Sequence, residues 1–136
     1  MRLEEARGRF AAAKVARLAT ADAAGRPHLV ALAFAVSDDR IYSVVDAKPK
    51  RTTNLRRLRN IRTNPAVSLL VDHYDDADWD TLWWVRADGT AHVMEPAASE
   101  AQHAIELLLS RYRQLRPIGA VIAVDVSRWS GWTAVG

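Results

Sequence analysis

Residues 40–72, RIYSVVDAKPKRTTNLRRLRNIRTNPAVSLLVD, decide how this chain folds. Arg40–Asp46 is β-branched and apolar enough for a strand. Pro49 and the charges of AKPKR (47–51) stop it. Thr52 or Thr53 is placed to cap a helix running to about Thr63. Leu55, Leu58 and Ile61 form its apolar stripe, and Arg56, Arg57, Arg59 and Arg62 occupy the rest. Asn64-Pro65 ends the helix, and Ala66–Asp72 is a further strand suited to a core. The central unit is therefore a strand, a basic loop, a short helix and a strand.

The flanks add mostly strands. Residues 3–14 read as an amphipathic helix with Leu3, Ala6, Phe10 and Ala13 on one face. The period then changes to two. Val15–Thr20 and His28–Val36 are strands about the turn 21–27, and SDD (37–39) is a second turn. After an acidic loop at 73–80, Thr81–Ala87 and Thr90–Glu95 flank Asp88-Gly89, a strong hairpin signal. A helix follows over about 98–114. The last strands, Ala120–Val126 and Thr133–Val135, are joined around SRWSGW (127–132). Six or seven strands linked mainly by hairpins predict a mainly β, antiparallel barrel or sandwich with three helices, in a single domain over 1–136.

Composition narrows the chemistry. Hydrophobic residues make up 49% and charged residues 26%, which is globular composition. Cysteine is absent, so disulfides, thiolate metal sites and cysteine nucleophiles are excluded. No apolar run is long enough for a membrane helix, and the N-terminus carries charges where a signal peptide would be apolar. The expectation is a cytoplasmic protein with no membrane partner. The four histidines, at 28, 73, 92 and 103, have no metal-ligand spacing, so no metal is expected. There is no nucleophile elbow, Walker loop or dinucleotide fingerprint. A chain with so few reactive groups leaves its chemistry to a cofactor if it is an enzyme. No residue is assigned a catalytic role.

Charge is distributed unevenly. Residues 1–71 hold 14 Lys/Arg and 6 Asp/Glu, whereas 72–136 hold 5 and 10. Lys48–Arg62 carries seven basic groups and no acid, and Asp72–Asp80 carries five aspartates and no base. Only three lysines stand beside 16 arginines, and two of them, Lys48 and Lys50, fall in one loop with Arg51 and Thr52. A loop that leaves a strand and enters a helix N-terminus suits a phosphate or carboxylate, while a solvated basic loop is the plain alternative. Nucleic acid is a third reading, since helical arginines can track phosphates. It is disfavoured because no aromatic residue lies between 43 and 73 and the acidic loop comes soon after. The five tryptophans are also informative. Trp83 and Trp84 must point to opposite strand faces, one to the core and the other to a surface or interface. Trp129 and Trp132 either line a flat ring system or seal a subunit contact.

Two stretches, NLRRLRNIRTNPAVSLLVDHYDDAD (54–78) and LWWVRADGTAHV (82–93), resemble the pyridoxamine-phosphate-oxidase-like split β-barrel proteins. Within them the chain is most similar to the deazaflavin-dependent group, which uses coenzyme F420 in actinobacteria. The resemblance covers essentially the whole chain. It implies an antiparallel split β-barrel, a homodimer with the cofactor at the subunit interface, and hydride transfer to a small organic substrate. It also implies cofactor contacts from Lys48, Lys50, Arg51 and Thr52, from Arg57, and from Trp129 and Trp132 as a wall for the ring. FMN in the same fold, or a non-catalytic carrier of the cofactor, are the alternatives.

Overall fold

The computed structural model describes residues 1–47 and 55–135. In chain order the elements are α1 (Leu3–Ala12), β1 (Ala16–Ala21), β2 (Pro27–Leu32), β3 (Ala35–Ser37), β4 (Arg40–Asp46), α2 (Arg56–Thr63), β5 (Ala66–His73), β6 (Trp83–Met94), α3 (Ser99–Arg111) and β7 (Pro117–Thr133). A 3-10 turn, Trp79–Thr81, precedes β6. All strand pairs are antiparallel, in the order β2-β1-β5-β6-β7-β4-β3. The two edge strands, β2 and β3, are separated in sequence only by Ala33 and Phe34. The sheet therefore curls back on itself and stays open between its edges. This is the expected split barrel, and its sheet is not closed.

Alternation along the strands sorts side chains into two cores. In β4, Ile41 and Val45 face the inside of the curl with Phe10, Leu18, Phe34 and Leu69. Tyr42 and Val44 face the other way, onto Ala101, Ala104 and Leu108 of α3. Strand β7 repeats the division, with Ile122 and Val124 inside and Val121 and Ala123 under the helix. The Tyr42 hydroxyl donates to Glu100 at 2.8 Å, and Arg40 pairs with the same carboxylate, which fixes the first turn of α3 on β4. α2 plugs the inner core through Leu58 and Ile61. Its buried Asn60 donates through Nδ2 to the Thr20 hydroxyl of β1 at 3.0 Å, so a buried amide finds its partner.

A polar clamp holds the corner between the two sheet edges. The Tyr112 hydroxyl accepts from the Phe34 N–H at 3.2 Å. It also lies 2.9 Å from the Phe34 carbonyl and 3.0 Å from that of Lys14, either of which can take its single proton. The Arg111 guanidinium donates to the carbonyls of Phe34 (3.1 Å) and Ala13 (2.7 Å). The predicted continuous strand 28–36 is broken at this point into β2 and β3.

Two further expectations are corrected. Asp88-Gly89 is not a hairpin turn, because β6 runs straight through it for 12 residues. Likewise 127–132 is not a connection, because β7 is one strand of 17 residues. The register between them shifts at Asp88/Gly89, with Asp88 opposite Arg128 and Gly89 opposite Val126. Ser127 is thus the extra residue of a β-bulge, and its hydroxyl donates to the Asp88 carbonyl at 3.0 Å. Gly89 is required for a different reason from a turn. A Cβ there would collide with the Asp125 carbonyl. The helix start also differs, since α2 begins at Arg56 behind an extended Leu55, while Thr52 and Thr53 lie outside the described residues.

Gly89→Ala is expected to cost about 2 kcal/mol or more in urea denaturation, because the neighbour that must yield is backbone. Gly8→Ala on α1, whose added methyl meets nothing within 4 Å, is expected to hold or raise stability by up to about 1 kcal/mol.

Candidate functional site

The crossover helix and the first hairpin together make a basic cleft of about 760 Å³. Asp22, Arg26 and His28 line it from the hairpin, and Arg56, Arg59 and Asn60 from α2. The Asn60–Thr20 bond fixes the spacing of the two walls. Asp22 is committed to its own turn. It accepts from the N–H groups of Ala24 and Arg26, both at 2.9 Å, and from the Arg26 Nε at 2.8 Å. Those bonds, the Arg26 N–H first and its guanidinium next, hold the Asp22 carboxyl below its ordinary range.

Arg57, beside Arg56, carries the least satisfied charge of this region. Its Nε is buried and reaches no acceptor among the described residues. Burial pushes its pKa down, although a guanidinium keeps its proton. A buried N–H without an acceptor is costly, and a bound anion would remove that cost. Burial, followed by the charges of Arg56, Arg57 and Arg59, also pushes the His28 imidazole below its usual value.

A second feature lies on the outer face of the sheet, an apolar groove of about 730 Å³. Register sets it out in rows, with Leu29 opposite Ala19, Arg17 opposite Leu70, Leu70 opposite Arg86, and Trp84 opposite Trp132. Leu29 is 66% exposed and Trp132 47%. Exposed apolar side chains lined up like this on a strand face mark an interaction surface.

The sequence-predicted residues are distributed as follows. Lys48, Lys50, Arg51 and Thr52 lie outside the described residues. Arg57 sits in α2 between cleft-lining residues but does not itself line the cleft. Trp129 and Trp132, three apart on one strand, face opposite sides and do not form one wall in a protomer. The Trp129 ring packs edge-on to Phe10 at 5.3 Å, and its Nε1 donates to Asp39 at 2.9 Å. With Arg7, that bond holds the Asp39 carboxyl below its usual range. Trp132 belongs to the outer groove. Trp83 and Trp84 divide as expected, Trp83 against the inner core under Arg9 and Trp84 outward. The acidic loop supports itself. Asp78 accepts from the Asp80 N–H at 3.0 Å, and Tyr74 donates to Asp76 at 2.8 Å. No cluster among the described residues could hold a metal ion. No described helix is long and apolar enough to cross a membrane.

His28 was missed by sequence reasoning, as was the role of Arg56 and Arg59 as a cleft wall. Only tertiary packing brings residue 28 against residues 56–59.

A family model described as pyridoxamine 5'-phosphate oxidase matches residues 3–133. The chain belongs to this family. Solved structures of the same fold include a conserved hypothetical protein of Mycobacterium tuberculosis, with 24% identity and a TM-score of 0.77 over 98% of this chain and 86% of that one. An FAD-binding protein of Mesorhizobium loti has 24% identity and a TM-score of 0.73, covering 96% of this chain and 94% of its own. HutZ, a heme storage protein of Vibrio cholerae, has 21% identity and a TM-score of 0.72, covering 98% and 95%. The family fold thus serves proteins named for a flavin and for heme, and the choice of ligand depends on the site.

The depressed His28 imidazole has a consequence for stability. Its folded pKa lies below the unfolded one, so its neutral form is favoured in the folded state. As pH falls through the ordinary histidine value the unfolded chain takes up the proton first, and stability drops. Between about pH 7.5 and 5.5 wild type is expected to lose more stability than His28→Gln in parallel urea titrations.

Proposed function

We propose that the protein is an F420-dependent oxidoreductase, a homodimer that binds the deazaflavin between subunits and passes hydride to a small organic acceptor. The buried Nε of Arg57, which reaches no acceptor among the described residues, and the cleft that Arg56 and Arg59 line from the same helix together carry this reading. A phosphate satisfies that nitrogen through a charge-assisted bond, and Arg56 supplies a second guanidinium. The basic residues Lys48, Lys50 and Arg51 add charge a few positions earlier in the sequence. Seven cations between Lys48 and Arg62 exceed what one phosphate needs and suit a cofactor with a phosphate and a carboxylate tail. The bound deazaflavin supplies the hydride. The protein's own part is to bind the anionic tail, orient the ring and exclude water.

The outer groove supports the dimer. Leu29, Leu70, Trp84 and Trp132 offer a second copy an apolar surface flanked by Arg17 and Arg86. In such a dimer Trp132 stands at the interface, where the cofactor ring also lies. FMN in the same cleft is the second reading, favoured by the flavin named for the Mesorhizobium loti protein.

Titration with F420 is expected to quench tryptophan fluorescence with a Kd on the order of 1 μM. Arg57→Ala should raise that Kd roughly tenfold or more, with Arg113→Ala, on the exposed surface, as an unaffected control. Binding of FMN without F420 would reverse the choice of cofactor. Equal affinity in wild type and Arg57→Ala would remove the clamp. Light scattering should show a dimer that Leu70→Glu converts to monomer, and a wild-type monomer at every concentration would end the interfacial model.

A further inference from the structure

We propose that His28 makes the basic cleft selective for anions carrying two or more negative charges, taking up one proton as such an anion enters. The inference rests on the reading of the cleft as an anion site and not on which redox cofactor occupies it.

The geometry assigns His28 a wall of its own. It lies on β2 opposite Thr20 of β1, and Thr20 is bonded to Asn60 of α2. The imidazole and the guanidinium groups of Arg56 and Arg59 therefore line one cavity from opposite elements. The charged groups acting on His28 can be named for each element packed there. α2 supplies Arg56, Arg57 and Arg59. The β1–β2 turn supplies Arg26 and Asp22, which are paired with each other at 2.8 Å. β1 supplies only the uncharged Thr20 at this register.

Of these groups, His28 alone can change charge near neutral pH. The arginines stay protonated, and Asp22 stays ionised. In the cleft, burial and then the arginines disfavour the protonated form of His28. A singly charged anion offsets part of that field. A doubly charged one reverses more of it and offers a further acceptor oxygen to a protonated imidazole. Within this cleft, each unit of ligand charge is expected to move the imidazole midpoint by on the order of one pH unit. Monovalent anions, which bring the smaller charge, gain the less. A phosphomonoester meets the requirement with its two charges, as does a phosphodiester followed by carboxylates. The site thus reads the total charge of its ligand.

The test is a proton NMR titration of the four histidine rings in the full-length wild-type protein, with His28 assigned by the resonance missing from His28→Gln. The probes are methyl phosphate and dimethyl phosphate, of similar size and different charge. The His28 midpoint is expected below the ordinary imidazole range without ligand. It should rise by about one pH unit with methyl phosphate and by less than half of that with dimethyl phosphate. Because the protonated form binds better, the Kd for methyl phosphate should weaken several-fold from about pH 6.5 to 8.5 in wild type and stay level in His28→Gln. A His28 midpoint unmoved by methyl phosphate, or moved equally by both probes, overturns the proposal. If methyl phosphate moves His28 while neither F420 nor FMN binds, the cofactor reading fails and this one stands. If a cofactor binds and His28 does not respond, the reverse holds.

Discussion

The structure depends on the pairing of β6 with β7. Strand β7 runs for 17 residues and pairs with β6 along one edge and β4 along the other. Among the described residues it is the only link in the sheet between the β2-β1-β5-β6 half and the β4-β3 half. Both long strands survive because their one irregularity is accommodated locally. Ser127 is extruded, its hydroxyl satisfies the Asp88 carbonyl, and Gly89 lets the β6 backbone press against Asp125. A bulge at this point also increases the local twist, which a curling sheet requires. Any side chain at residue 89 would oppose both the pairing and the curl.

That curl determines where functional groups can be placed. The Arg111 and Tyr112 side chains bind the Phe34 peptide at the corner between β2 and β3, so the barrel has a fixed opening. The crossover from β4 to β5 carries α2, whose Leu58 and Ile61 are buried in the inner core. With those two residues inside, Arg56 and Arg59 must point outward, toward the first hairpin. The apolar stripe that stabilises the helix thus also orients its cations. Asn60, buried between the two roles, ties the helix to the strand preceding the turn that leads to His28.

Local periodicity made most of this architecture legible. The apolar segments Arg40–Asp46 and Ala66–Asp72 form strands, the second one residue longer than predicted, and the stripe at 55–61 faces the core from a helix. The misreadings have one physical origin. Asp-Gly and Ser-Gly pairs signal a lack of steric restriction, which a tight turn needs, but a bulge or a close backbone approach needs it equally. At Gly89 the approach of Asp125, more than 30 residues away in sequence, decides between them. The same limit applies to the site. The charge of residues 56–62 is visible in the sequence, but the participation of His28 follows only from the fold. Trp129 and Trp132 looked like a pair because 127–132 read as a turn. On a strand their spacing of three puts them on opposite faces.

The uneven charge of the chain acquires a spatial meaning in this fold. Away from the cleft, arginines meet carboxylates: Arg7 with Asp39, Arg17 with Asp72, Arg40 with Glu100 and Asp125, and Arg86 with Asp88; within it, Arg26 meets Asp22. Arg17–Asp72 and Arg40–Asp125 each join neighbouring strands, and being exposed these pairs contribute little to stability. Among the described residues neither Arg56 nor Arg57 has a carboxylate within ion-pair distance. The acidic loop after β5 makes hydrogen bonds within itself. Arg56 thus brings to the cleft a charge that no carboxylate among the described residues meets.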